Sequence, residues 1–453
     1  LPFVTVQLPV FNERNVVARL VDAACRMDWP RDRFQVQILD DSTDETVAMS
    51  RALAQRWRDR GVDIEVRHRT DRTGYKAGAL EAGLDSAKGE FIAIFDADFV
   101  PEPGLLRRMM PYFAAAPDIG MVQARWGHLN EQRNLLTRLS SVLLDGHFVL
   151  EHTARNRSGR FFNFNGTAGI WRRETIADAG GWEHDTLVED LDLSYRAQLR
   201  GWRFVFLKDE VVDAEVPPDV RGFKTQQHRW AKGTLQAAPK LLPRVLRAPV
   251  SLGVKLEAAA HLLSNLAYPG VVLLALLMPP AVFFRGQSDV STLLLLDLPA
   301  FLLATCSVAL FYAVAEREAH GRWLDKAWRL PLVMALGIGI SINQSRAVFE
   351  GLFGNDVTFV RTPKAGDAAS AQAGAFTGYR PSAGWTPLLE LAMAAYLLVG
   401  TGFVVQAGWY ASVPFLALFT MGFGYVGATS LLPVAEVTAP AGSQPEARLT
   451  AAS

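Results

Sequence analysis

Phe91-Ile92-Ala93-Ile94-Phe95-Asp96-Ala97-Asp98 is a run of apolar residues that ends in two carboxylates. Such a short apolar run bounded by polar residues reads as a buried strand. Two carboxylates at a strand end repel each other unless a cation lies between them. A hard, oxygen-seeking ion, Mg²⁺ or Mn²⁺, bridging to a pyrophosphate would remove that cost. A solvated acidic turn is the plain alternative, and a lone Asp-x-Asp does not choose between them.

The pattern extends upstream. Phe3 to Val10, Phe34 to Leu39 and Val62 to Val66 are further candidate strands, with helical segments from Asp44 to Arg60 and Tyr75 to Ala87. This β-α-β-α order predicts an α/β domain with a parallel sheet covered on both faces. In such sheets ligands sit outside the carboxyl ends of the strands, and here those ends read Asp40-Asp41-Ser42 and Asp96-Ala97-Asp98. Ser42 to Glu45 suit a helix start; Asp40 and Asp41 are left over and suit a base, a ribose or a metal-bound phosphate. Lys76, in Gly74-Tyr75-Lys76-Ala77-Gly78, stands beside glycines that let a phosphate approach, with a surface lysine as the competing reading.

Two later stretches carry chemistry. Val188-Glu189-Asp190 opens an amphipathic helix, where a carboxylate suits a general base for an acceptor hydroxyl; helix capping is the alternative. In Gln226-Gln227-His228-Arg229-Trp230 an aromatic face can stack on a sugar while Arg and Gln hold phosphate or hydroxyl groups. An interfacial belt of Trp and Arg competes with that reading.

The chain has 453 residues, more than one core usually serves. Lys+Arg and Asp+Glu both number 46, which removes the electrostatic case for a nucleic-acid binder. Cys25 and Cys306 have no metal-ligand spacing. Charges are spread through residues 1–257 and then become scarce. Residues 258–284 carry none, Leu298 to Ala315 is a second apolar run, and Leu391 to Ala435 reads as a hairpin of two spans turning at Gln406-Ala407-Gly408. Leu332 to Ile342 is too short to cross and reads as an interfacial or re-entrant helix. The expected division is a cytoplasmic domain over 1–243, a transmembrane domain over 244–435 with about four spans, and a disordered tail over 436–453. Basic flanks at Arg244, Arg247, Lys255, Arg317, Arg322, Lys326 and Arg329 put the soluble domain on the cytoplasmic face of an inner or plasma membrane, or of the Golgi in a eukaryote. The chain begins at Leu1 with no Met and no leader, as a fragment would, which leaves a preceding span open.

Asp41, Asp98, Asp190 and Gln226-x-x-Arg229-Trp230, in that order and ahead of membrane spans, resemble the D, D, D, Q-x-x-R-W pattern of processive family-2 glycosyltransferases, which include cellulose, chitin and hyaluronan synthases. The runs Gln7 to Glu13, Leu39 to Asp44, Gly74 to Leu80 and Phe164 to Gly169 look most like cellulose-synthase-like mannan and glucomannan synthases. The resemblance implies a glycosyltransferase A-type, Rossmann-like domain, a metal-bound nucleotide diphosphate and inversion at the anomeric carbon. It implies Asp190 as base with Glu189 beside it, and Asp98 as metal ligand with Asp96 nearby. Asp40, Asp41, Lys76, Asp96, Gln226 and Arg229 would bind the donor, and Trp230, Asn165 and Gly166 the acceptor. Phe359 to Lys364 resembles the gating loop of cellulose synthases, departing from it at Arg361 and Pro363. No cyclic-di-nucleotide-binding domain follows the last span, so that form of regulation is not expected within this chain.

The expected activity is polymerisation with export of the polymer: polar groups His261, Ser264, Asn265 and Tyr268 would line a sugar path, or simply bond helix to helix. The resemblance favours GDP-mannose and a β-1,4-mannan or glucomannan. A UDP-glucose-dependent β-glucan synthase, a non-processive glycolipid glycosyltransferase and a non-catalytic transporter are the alternatives.

Overall fold

A computed structural model describes residues 1–285, 295, 298–321, 324–354, 356–359, 366 and 384–432. The amino-terminal half alternates β1 (Val4–Val10), α1 (Val17–Cys25), β2 (Phe34–Asp40), α2 (Thr46–Arg58), β3 (Ile64–His68), α3 (Tyr75–Leu84), β4 (Phe91–Ile94), α4 (Leu105–Ala115) and β5 (Ile119–His128). It continues with α5 (Leu135–Asp145), α6 (Thr153–Arg157), β6 (Gly169–Arg172), α7 (Arg173–Asp178), α8 (Glu189–Leu199), β7 (Arg203–Ala214) and α9 (Val220–Arg247). The four strands expected from sequence are all present.

The sheet has seven strands in the order β3-β2-β1-β4-β6-β5-β7. It is mixed rather than wholly parallel: β1 pairs in parallel with β2 and β4, whereas β6 runs antiparallel to β4 and β5. The all-parallel expectation rested on the first four strands, which obey it. Alternate residues of β4 enter opposite cores, Phe91 and Ala93 on one face and Ile92 and Ile94 on the other, as the two-residue period of a strand requires. The chain order reverses between β1 and β4, so a crevice opens at their carboxyl ends.

Asp219 caps α9 by accepting from the Gly222 N–H at 2.8 Å. This single 28-residue helix carries Gln226 to Trp230 and runs on to Arg247, so the boundary drawn at 243/244 falls inside it. Among the described residues, three helical stretches are long and apolar enough to cross a membrane: Leu252–Phe284, Thr386–Gln406 and Tyr410–Leu431. The last two are the hairpin expected beyond Leu391, and Gly408, at φ +78°, turns the chain between them. The second expected span coincides with the helix Leu298–His320, several of whose side chains lie outside the described residues. Helices Arg329–Gly339 and Ser341–Phe353 meet at a 43° bend where an interfacial or re-entrant segment is expected. The expected disordered tail, and Val360 to Lys364 of the gating-like stretch, lie outside the described residues.

The two halves are joined by a buried ion pair. Lys224 Nζ of α9 lies 2.6 and 2.9 Å from the two carboxylate oxygens of Glu390, inside the Thr386–Gln406 helix, and 3.2 Å from Thr386 Oγ1.

Candidate active site

A cleft enclosing about 1330 Å³, part of it open to solvent, lies at the crevice between β1 and β4. Its wall contains Asp41 from the end of β2, Asp96 and Asp98 after β4, Asn165 and Gly166 before β6, Glu189 and Asp190 at the start of α8, and Gln226, Arg229 and Trp230 from α9. Residues far apart in sequence meet because strand ends and helix starts converge on this edge.

Asp40 is the exception among the expected donor contacts. Its side chain is fully buried, is absent from the cleft wall and accepts the Ser42 N–H at 2.8 Å. Asp41 does face the cleft and is clasped by Arg69, with Nε to Oδ1 at 2.8 Å and Nη2 to Oδ2 at 2.6 Å. Such a bidentate pair fixes the carboxylate plane.

Lys76 lies inside the acidic cluster, not on the outer surface. Its Nζ lies 2.5 Å from Asp96 Oδ1, 2.8 Å from the Gly166 carbonyl oxygen and 4.0 Å from Glu189 Oε1. Burial is the largest influence and pulls the ammonium down, but Asp96, Glu189 and Asp190 together hold it above its ordinary value. Arg229 is drawn below its ordinary value by burial, although Glu189, Asp96, Asp190 and Asp98 oppose the shift; a guanidinium remains charged regardless. Its carbon lies 4.5 Å from the ring centroid of Phe359, which also packs on Tyr75. The start of the gating-like stretch therefore touches the site.

At α8 the N-cap residue, Val188, makes no side-chain cap, and the first turn instead carries Glu189 and Asp190. Asp190 Oδ1 accepts the Leu191 N–H at 2.8 Å. Burial, followed by the charge of Glu189, pushes the Asp190 carboxyl up to about 7, against the pull of Lys76. A carboxylate poised there can exchange a proton near neutral pH. Trp230 faces Trp126 with ring centroids 6.3 Å apart, giving the cleft an aromatic side.

Seven carboxylates, Glu13, Asp41, Asp96, Asp98, Glu189, Asp190 and Glu215, share this wall with three cations, Arg72, Lys76 and Arg229. A diphosphate would add more negative charge to that excess. An all-oxygen, net-negative donor set of this kind fits Mg²⁺ or Mn²⁺ and suits neither a thiophilic metal nor an uncompensated phosphate.

Strain gathers here too. Among the described residues the three non-glycine positions with positive φ are Asn12 at 55°, Tyr75 at 47° and Ala168 at 57°. Tyr75 is on the cleft wall, and Asn12 and Ala168 adjoin it in sequence or within the Asn165–Ala168 turn. Such conformations persist where surroundings enforce them, commonly at sites of function.

Sequence reading passed over Arg72, whose guanidinium carbon lies 3.3 Å from the Phe11 ring centroid, as well as Trp126 and Thr167. Thr167 Oγ1 accepts the Asp96 N–H at 2.9 Å. None of them stands out from ordinary strand and turn residues without the fold.

An α/β crevice with acidic strand ends, a helix that opens on Glu189 and Asp190, and an aromatic wall defines a glycosyltransferase A-type domain, followed by helices long and apolar enough to cross a membrane. The chain belongs to glycosyltransferase family 2: residues 2–233 match the family described as glycosyltransferase like family 2. It is 47% identical over 250 residues to glucomannan 4-beta-mannosyltransferase 2 of Arabidopsis thaliana, covering 54% of this chain and 47% of that protein. It is 34% identical over 451 residues to probable glucomannan 4-beta-mannosyltransferase 9 of Oryza sativa subsp. japonica, covering 94% of this chain and 82% of that protein. The chain thus spans about half the length of the first relative and most of the second. A mannosyltransferase from Pyrobaculum calidifontis, solved in complex with GDP-Man and Mn²⁺, shares the fold at TM-score 0.51 and 21% identity, over 78% of this chain and 88% of that one. The resemblance to mannan and glucomannan synthases is borne out.

Proposed function

We propose that this chain is an inverting, metal-dependent, processive β-glycosyltransferase that builds a β-1,4-mannan or glucomannan from GDP-mannose on the cytoplasmic face of a membrane and passes it outward. One observation carries the reading: a carboxylate raised to about 7, Asp190, shares a cleft with the Asp96–Asp98 pair and with Trp230. In this reading Asp190 takes the proton from an acceptor hydroxyl as that oxygen bonds to the anomeric carbon and the nucleoside diphosphate departs. Glu189 keeps Asp190 basic, and Trp230 offers its face to the acceptor ring. Lys76 and Arg229 meet the charge of the leaving diphosphate. Asp98, with Asp96, would hold the divalent ion, which neutralises that diphosphate when bound. Names of relatives support mannose as the sugar.

The test is incorporation of labelled sugar by purified protein supplied with GDP-mannose, GDP-glucose or UDP-glucose. Polymer from GDP-mannose that a β-mannanase degrades supports the reading. Polymer from UDP-glucose alone would replace the donor with the glucan-synthase one, and a short lipid-linked product would make the enzyme non-processive.

A further inference from the structure

Gly146–His152 forms a π-helix, a rare conformation that recurs at functional sites. It is pressed against the Leu298–His320 helix, since a Cβ added at Gly146 would lie 2.8 Å from the rings of both Phe311 and Tyr312. Two polar side chains, His147 and Glu151, stand four residues apart on this segment. His147 Nδ1 lies 3.0 Å from Glu151 Oε2, and His147 Nε2 lies 3.2 Å from Asn165 Nδ2.

These partners fix the hydrogens. An amide nitrogen only donates, so Nε2 accepts and the proton sits on Nδ1, where the Glu151 carboxylate receives it. Beyond Asn165, Gln123 Nε2 donates to Asn165 Oδ1 at 2.8 Å, and the Asn165 backbone N–H donates to Gln123 Oε1 at 3.1 Å. Each amide therefore has one consistent orientation. Turning Asn165 over would set its NH₂ against that of Gln123 and its oxygen against a lone pair of His147. Asn165 is on the cleft wall, and the next residue, Gly166, gives its carbonyl to Lys76 and lies against Asp190.

We propose that His147, held by Glu151, is a positioning residue: it sets the Asn165 amide, and with it the Asn165–Gly166–Thr167 turn, so that an acceptor hydroxyl meets Asp190. The proposal rests on the reading of Asp190 as base.

The full chain, purified in detergent, tests it through three variants assayed with GDP-mannose, alongside GDP binding by calorimetry. His147→Leu fills the volume but offers no acceptor, His147→Gln presents an amide oxygen toward Asn165, and Glu151→Gln releases the ring. Displacement of a reacting group by even 1 Å costs about a hundredfold, so His147→Leu should lower kcat about tenfold or more. The donor KM and GDP affinity should stay within about twofold, as for loss of an acceptor-side interaction. His147→Gln should recover a large part of that kcat, and Glu151→Gln should fall between the two. Unchanged kcat in His147→Leu would overturn the proposal, as would equal losses in His147→Leu and His147→Gln accompanied by lost GDP binding. The two readings fail separately. If Asp190→Asn transfers sugar like the wild type, the assignment of the base fails; if Asp190→Asn is inactive while His147→Leu is unaffected, only the positioning role falls.

Discussion

Gly166 and Asp190 press together across the cleft: a Cβ on Gly166 would lie 3.0 Å from Asp190 Oδ2 and 3.1 Å from Lys76 Nζ. The position also has φ +83°, the left-handed region that side chains avoid. Gly166→Ala should therefore cost about 1 kcal/mol or more in backbone strain and push the turn away from Asp190. Steady-state kinetics should show kcat down at least about tenfold, with near-native circular dichroism.

Asp190 gives the pH dependence a sign. A base must be ionised to act, so kcat/KM should rise with pH and level off above about 7. For stability the sign is opposite. The folded value lies above the ordinary aspartate value of 3.8, so the native state holds the proton more tightly than the unfolded chain. That contribution is fully present below about 4 and is lost as pH rises through about 7. Asp190→Asn should accordingly raise Tm at pH 8 relative to wild type, and leave it little changed at pH 4, by differential scanning fluorimetry.

Removal of divalent ions should abolish transfer, because the acidic wall cannot accept a diphosphate alone. Transfer assayed after chelation should recover with Mn²⁺ or Mg²⁺ in the wild type. Asp98→Ala should recover little at the same ion concentration.

The Lys224–Glu390 pair lies two residues before Gln226 and ties α9 to the Thr386–Gln406 helix. Breaking one side of a buried pair costs about 3–5 kcal/mol, whereas replacing both sides with apolar residues is often neutral. Thermal unfolding should show Lys224→Met or Glu390→Leu alone well below wild type, and the double variant close to it.

Much of this was legible because strand ends in α/β sheets are where ligands bind, so Asp41, Asp96 and Asp98 marked the crevice before any coordinates. Asp40 misled for the same reason: adjacent residues of an extended chain point to opposite sides, and only Asp41 faces the cleft. The later strands β5 to β7 escaped notice because β5 is interrupted by Gln123, which the fold buries, β7 by Lys208-Asp209-Glu210, and β6 is only four residues long. His147, Thr167 and Trp126 act through contacts spanning distant parts of the chain, which no local pattern records. The spans were read from charge alone, since a stretch without Asp, Glu, Lys or Arg has few other homes.

The most direct measurement is transfer from GDP-mannose by wild type and Asp190→Asn side by side, with Mn²⁺ present and GDP binding measured on both. Transfer assigned to Asp190 predicts β-mannanase-sensitive polymer from the wild type, a loss of about a hundredfold or more in the variant, and equal GDP affinity. Wild-type rates from Asp190→Asn would contradict it.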